Sequence, residues 1–184
     1  MSLHTTLQQA FPAFIAQVFI SLSSINIHIP AAYEIDHLCF RTSTAAEYDS
    51  YKAELASLGT LLTESIVGGR HIATYKLRPE HALHYTQTTD CKPVDRTIDV
   101  IELPSPKPGR PYPSGIEHVE VVVDVPLEVY RDRYKDVGWD ERGMGKGLNR
   151  DLRLDFTAAG KEFSVKFHEQ SLERVIEIEL AALP

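Results

Sequence analysis

The sequence predicts an α+β fold built from two related modules behind an N-terminal helix. Three observations carry this. The pattern Ile-acid-His-aliphatic occurs twice, as Ile35-Asp36-His37-Leu38 and as Ile116-Glu117-His118-Val119. Each copy sits in a strand-like run that is followed by a helix-like segment and then a glycine, Gly59 in the first half and Gly138 in the second. Between the halves stands a stretch with prolines at 104, 106, 108, 111 and 113, which neither a helix nor a central strand accommodates. A single domain 1–184 then divides into a helical extension 1–33, a first module 34–104, a Pro-rich hinge 105–114 and a second module 115–184 ending in a helix.

The elements follow in order. Phe11, Phe14, Ile15, Val18, Phe19 and Leu22 recur at helical spacing, so residues near 3–22 read as an amphipathic helix, with Pro12 early enough to be tolerated. Residues 35–41 read as a strand. Thr44-x-x-Glu47 is a capping-box pattern that opens a helix carrying Tyr48, Tyr51, Leu55 and Leu58 on one face, and Gly59 sits where a left-handed residue would end it. Two strands, 60–66 and 71–77, flank a Gly68-Gly69 turn. A polar excursion to Arg96 leads to a fourth strand, 97–103. Beyond the hinge come a strand 116–123, a helix 126–137 stopped by Gly138, a Gly-rich segment, strands 152–156 and 162–168, and a helix from Ser171 that packs Leu172, Val175, Ile176, Leu180 and Leu183.

Composition narrows the function. With 184 residues, 43% hydrophobic and 24% charged, the chain forms an ordinary core and no large multidomain machine. The net charge of −7 and the scattered basic residues argue against nucleic acid as a partner. Cys39 and Cys91 form no C-x-x-C pair, so a reducing compartment, the cytoplasm, is expected. The apolar run 11–22 lacks the flanks of a signal peptide, and no stretch reaches the roughly 18 residues a membrane span requires.

Strand side chains alternate between two faces, so parity sorts the polar residues. Apolar faces formed by Leu38 and Phe40, by Ile101 and Leu103, by Val119 and Val121, and by Phe163, Val165 and Phe167 leave a second surface. On it lie His37, Glu102, His118 and His168, with Ile35, Cys39, Arg41, Ile116, Glu120 and Lys166. Three imidazoles and a carboxylate gathered in one cleft suit a first-row divalent metal. Taken singly, each histidine also reads as a surface or hydrogen-bonded residue, Glu102 as a paired strand-end carboxylate and His168 as a cap for the helix at Ser171.

At IDHLCFR, the Gly68-Gly69-Arg70 turn, DVIELPSP, GIEHVEVVV and VKFHEQSLERV, the chain resembles the bacterial YecM family. That family belongs to the vicinal-oxygen-chelate superfamily of glyoxalase I, extradiol dioxygenases and bleomycin-resistance proteins. The resemblance implies paired βαβββ modules forming a curved, barrel-like mixed sheet with helices outside, closing around one divalent ion: Zn, Ni, Mn or Fe(II). It implies ligands on the first and last strands of each module, which fall on His37, Glu102, His118 and His168. Here the chain departs from glyoxalase I, whose set is His, Glu, His, Glu. The second carboxylate of a glyoxalase is missing, so lactoylglutathione isomerisation does not carry over. An extradiol dioxygenase holds Fe(II) with two His and one carboxylate, and a fourth protein ligand leaves less room for catechol and dioxygen, so ring cleavage does not carry over either.

The expected function is a metal-dependent enzyme of isomerase, lyase or oxidoreductase type acting on a small molecule with adjacent oxygens. Glu120 is the expected general base, and Arg41, Lys166 and, more weakly, Arg70 are expected to meet a substrate carboxylate. Mutual charge pairing is the competing reading for these residues. The alternative functions are a non-catalytic module that sequesters a small molecule, and a structural protein whose histidines are incidental. Both modules lie in one chain, so a monomer or a homodimer would serve.

Overall fold

An apolar stripe organises the first helix. In the computed structural model, which describes residues 2–89 and 92–182, α1 (Leu3–Ser24) buries Leu3, Leu7, Phe11, Ile15, Val18 and Leu22. It runs straight through Pro12, well beyond its first turn, and so gives up one backbone hydrogen bond. Ser2 caps its start, and the Glu54 carboxylate accepts from the amides of Leu3 and His4, both at 2.8 Å. Cys91 and Leu183 lie outside the described residues.

The helix α2 (Ala45–Leu58) begins at Thr44, whose side chain accepts from the Glu47 amide as the spacing predicts. Its end differs from expectation. Gly59 is extended, at φ −163°, and starts the next strand; it is glycine because a Cβ there would collide with the Lys76 carbonyl.

Seven strands form one mixed sheet: β1 (Glu34–Arg41), β2 (Gly59–Val67), β3 (Arg70–Leu77), β6 (Val100–Pro104), β7 (Gly115–Val122), β8 (Leu152–Ala158) and β9 (Lys161–His168). Their order is β2-β3-β6-β1-β7-β9-β8, and the sheet is open. β1 pairs with β6 in parallel, β7 with β9 in parallel, and β1 with β7 antiparallel at the centre. The halves thus repeat one arrangement. In the second half the counterpart of β2 is reduced to a single antiparallel bridge between Asp140 and Arg153.

Two further differences have local causes. The polar excursion is a separate hairpin, β4 (Leu83–Thr89) and β5 (Lys92–Ile98), and the expected strand 97–103 breaks at Asp99, where β5 passes into β6. The helix α3 (Leu127–Arg133) ends well before Gly138, because the chain leaves it at Tyr134 to bring Trp139 against Phe167. Trp139 Nε1 donates to the Tyr134 carbonyl at 3.0 Å and satisfies one of the free helix ends.

Leu38, Phe40, Ile101, Leu103, Val119, Val121, Val165 and Phe167 join residues of α1, α2 and α3 in one apolar core. The opposite face is polar. The helix α4 (Leu172–Ala181) starts at Ser171, whose side chain accepts from the Arg174 amide, and buries Val175 and Ile176. No helix among the described residues is long and apolar enough to cross a membrane.

Candidate functional site

Two bulges aim the polar face. Between β1 and β7, Ile35 pairs with Val121 and His37 with Glu120, so Asp36 is an extra residue on β1. Further along, Cys39 pairs with His118 and Phe40 with Ile116, so Glu117 is extra on β7. Simple alternation fails at both places. Ile35 and Ile116, expected beside the histidines, turn instead to the core.

The registers then lay out the polar face as two adjacent rows across the sheet. One runs Thr74, Glu102, Cys39, His118, Ser164, Asp155; the next runs Lys76, Val100, His37, Glu120, Lys166, Arg153. His168 stands one step beyond the second row, opposite Val122. Side chains from four strands therefore meet over the centre of the sheet.

Glu120 is the hub. One of its oxygens lies 3.3 Å from His118 Nε2 and 3.5 Å from His37 Nε2, and the other lies 2.6 Å from His168 Nε2. Lys166 Nζ donates to Glu120 at 2.5 Å and to His118 Nε2 at 3.1 Å. Glu102 joins from the neighbouring row, 3.4 Å from His118 Nε2. The group is buried: His37 is 1% exposed and Glu120 4%. Glu102 is the more open carboxylate.

Asp36 stands behind His37. Its Oδ2 takes the His37 Nδ1 contact at 2.8 Å and also accepts from the backbone amide of Leu172 at 2.9 Å, so the ring is oriented by a group that also holds the start of α4. With Nδ1 engaged, His37 Nε2 faces the cluster and, like His168 Nε2, lacks a well-formed hydrogen bond.

Electrostatics follow from crowding charges out of water. Burial opposes the charged form of His37, but the Glu120 charge and the Asp36 and Glu120 contacts outweigh it and push its pKa up to about 10. Burial likewise opposes ionisation of Glu102 and Glu120, yet the surrounding cations hold both well below the usual carboxylate range. The Lys166 ammonium, disfavoured by burial, is held in its charged form by Glu120 and Glu102. Cys39 is pushed up by burial and by Glu102, so its thiol stays neutral.

The expected residues divide in two. His37, Glu102, His118, Glu120, Lys166 and His168 are brought together, with Glu120 at the centre. Arg41 and Arg70 instead meet at Tyr112 in the Pro-rich segment: Arg41 lies over its ring at 4.8 Å, and Arg70 Nη1 donates to its hydroxyl at 2.8 Å. Arg41 also lines a cavity of about 370 Å³ with Glu117, Arg153, Asp155 and Ser164. Sequence reading missed Asp36, Glu117 and Ser164. Asp36 and Glu117 are the two bulge residues, and the repeated acid before each histidine was the available signal. Ser164 is the register partner of His118, visible only once β7 and β9 are paired.

As a metal site the donor set fits. His37, His118 and Glu120 each offer an atom within 4.8 Å of the others, and Asp36 supplies the carboxylate behind a ligating imidazole that such sites use. A second group, Cys39, Glu117 and His118, meets the same spacing but contains a neutral thiol.

Two half-sheets are joined antiparallel through their first strands, and each carries a histidine toward a shared polar face. Comparison with known proteins gives the family. The YecM protein family model matches residues 4–179, and the chain belongs to that family. An uncharacterised protein of Haemophilus influenzae is 35% identical over 92 residues, 50% of this chain and 42% of that protein. The chain therefore spans less than half the length of that relative. Protein YecM of Escherichia coli K12 is 27% identical over 160 residues, 80% of this chain and 79% of that one. A solved structure, Structural Genomics Protein EC4020, shares the fold with a TM-score of 0.65 at 19% identity, covering 97% of this chain and 94% of its own.

Proposed function

We propose that this chain is a cytoplasmic, divalent-metal-dependent enzyme that removes a proton next to a carbonyl of a small oxygen-chelating acid, an isomerase- or lyase-type reaction. Residues 34–104 and 115–184 act as paired modules of one domain, joined by the hinge 105–114. The observation that supports this best is the convergence of three imidazoles on the buried Glu120 carboxylate, with His37 and His168 nitrogens lacking better partners.

His37, His118 and Glu120 would hold the ion, with His168 and Glu102 beside them. Once bound, the metal supplies Lewis-acid stabilisation of negative charge on the substrate oxygens. The remaining tasks belong to the chain. Asp36 fixes the His37 ring through Nδ1 and leaves Nε2 to the site. Glu120, first expected as the base, is assigned to the metal because its oxygens already contact all three imidazoles. Glu102 is the carboxylate left to act as the base: its side chain is 18% exposed and it adjoins His118. Arg41, at the cavity wall, receives the substrate carboxylate, while Arg70 steadies Tyr112 beneath it. The cavity of about 370 Å³, walled by Arg41, Arg153 and Ser164 next to the metal trio rather than by the trio itself, has room for a small acid.

Metal analysis tests the reading directly. Tag-free protein loaded separately with Zn, Ni, Mn and Fe(II) should retain about one ion per chain for at least one of these metals. His37→Ala and His118→Ala should each lose that ion while keeping a folded circular-dichroism spectrum. Retention of full metal content in both variants would sink the assignment.

A further inference from the structure

The inference concerns Lys166 and rests on the metal-site reading above. The two halves of the sheet are related by their own registers. On β1 and β6, His37 faces Val100 and Cys39 faces Glu102; on β7 and β9, His118 faces Ser164 and Glu120 faces Lys166. Laying one half over the other puts Lys166 where Glu102 stands and Glu120 where Cys39 stands. An amine has replaced the second carboxylate that the internal symmetry of the sheet would supply.

The surroundings of that amine are those of a metal. Its Nζ lies 2.5 Å from a Glu120 oxygen and 3.1 Å from His118 Nε2. An ammonium only donates, so His118 Nε2 turns a lone pair toward it. These are the lone pairs a divalent ion needs, and two cations about 3 Å apart repel strongly in a buried site.

We propose that Lys166 is a built-in cation that occupies the metal position of the metal-free protein, lowers the affinity for divalent ions, and swings aside when one binds. The side chain has somewhere to go. It is 18% exposed, and its strand neighbours Arg153 and Ser164 line the cavity assigned to the substrate. Displaced toward that cavity, the ammonium meets a substrate carboxylate, so metal and acid favour each other's binding.

Calorimetric titration of metal-free protein with Co²⁺ alone, followed in parallel by visible d–d absorption, tests this. Lys166→Met removes the charge at similar volume and should bind Co²⁺ at least about a hundredfold more tightly than the wild type. Lys166→Arg keeps the charge and should bind as weakly as the wild type. Should the methionine variant fail to fold, Lys166→Gln serves in its place with the same expectation. Equal affinity in the wild type and the charge-removed variant overturns the role of Lys166 and leaves the metal site standing. Absence of Co²⁺ binding in both, with both folded by circular dichroism, overturns the site and the inference together.

Discussion

Arg96 and Lys166 are both buried cations, and they are satisfied in opposite ways. The Arg96 guanidinium, 4% exposed, donates to the backbone carbonyls of Ile29, Pro30, Ala31 and Tyr33 and to the Gln87 side chain. Every acceptor is neutral, and four of the five are fixed in the main chain. Lys166 instead faces Glu120 and His118, side chains that can turn, change protonation or accept another cation. A charge held by main-chain dipoles is part of the scaffold, here tying the segment after α1 to the β4–β5 hairpin. A charge held by carboxylates and imidazoles is replaceable, which is what a binding site requires.

The largest expected effect is on the scaffold side. Arg96→Met strands the buried carbonyls of Ile29 and Tyr33, removes the donor from the half-buried ones of Pro30 and Ala31, and should cost about 3 kcal/mol or more in urea unfolding. A loss below about 1 kcal/mol would show that water substitutes for the guanidinium and would dissolve the contrast with Lys166.

On the site side the contrast sharpens with pH. The His37 pKa is raised from 6.5 to about 10, so the stability it contributes is fully present below pH 6.5 and is lost as pH rises through about 10. Metal-free wild-type protein should therefore lose stability across that window, and His37→Gln should flatten the decline. An unchanged slope in the variant would mean that His37 is neutral in the folded protein.

The smallest effect belongs to an exposed cation. Lys52 contacts Glu64 at 2.8 Å but keeps a third of its side chain in water, so Lys52→Ala should change stability by less than about 0.5 kcal/mol. A larger loss, measured by the same unfolding method, would say that burial is not what separates these lysines and arginines.

Much of this architecture was legible in the residues because it depends on local rules. The Thr44 cap, the Gly68-Gly69 turn at φ 59° and 80°, and the alternation in β9 follow from neighbours a few positions apart. The repeated Ile-acid-His motif located the two central strands. What escaped depended on pairing across the sheet. The bulges at Asp36 and Glu117 arise from the β1–β7 register, so parity placed Ile35 and Ile116 on the wrong face. The β4–β5 hairpin hid because its residues are polar on a strand held partly by Arg96 rather than by apolar packing. The part of Glu120 as hub was likewise invisible, since three of its four closest partners, His37, Lys166 and His168, come from other strands.

Asp36 connects the polar cluster to a distant part of the polypeptide. The same carboxylate oxygen touches the ring of its neighbour and the amide of Leu172, which is 136 residues further along the polypeptide. The orientation of the His37 ring is thereby coupled to the docking of α4, so a change that loosens this helix from the sheet is felt at an imidazole it does not touch.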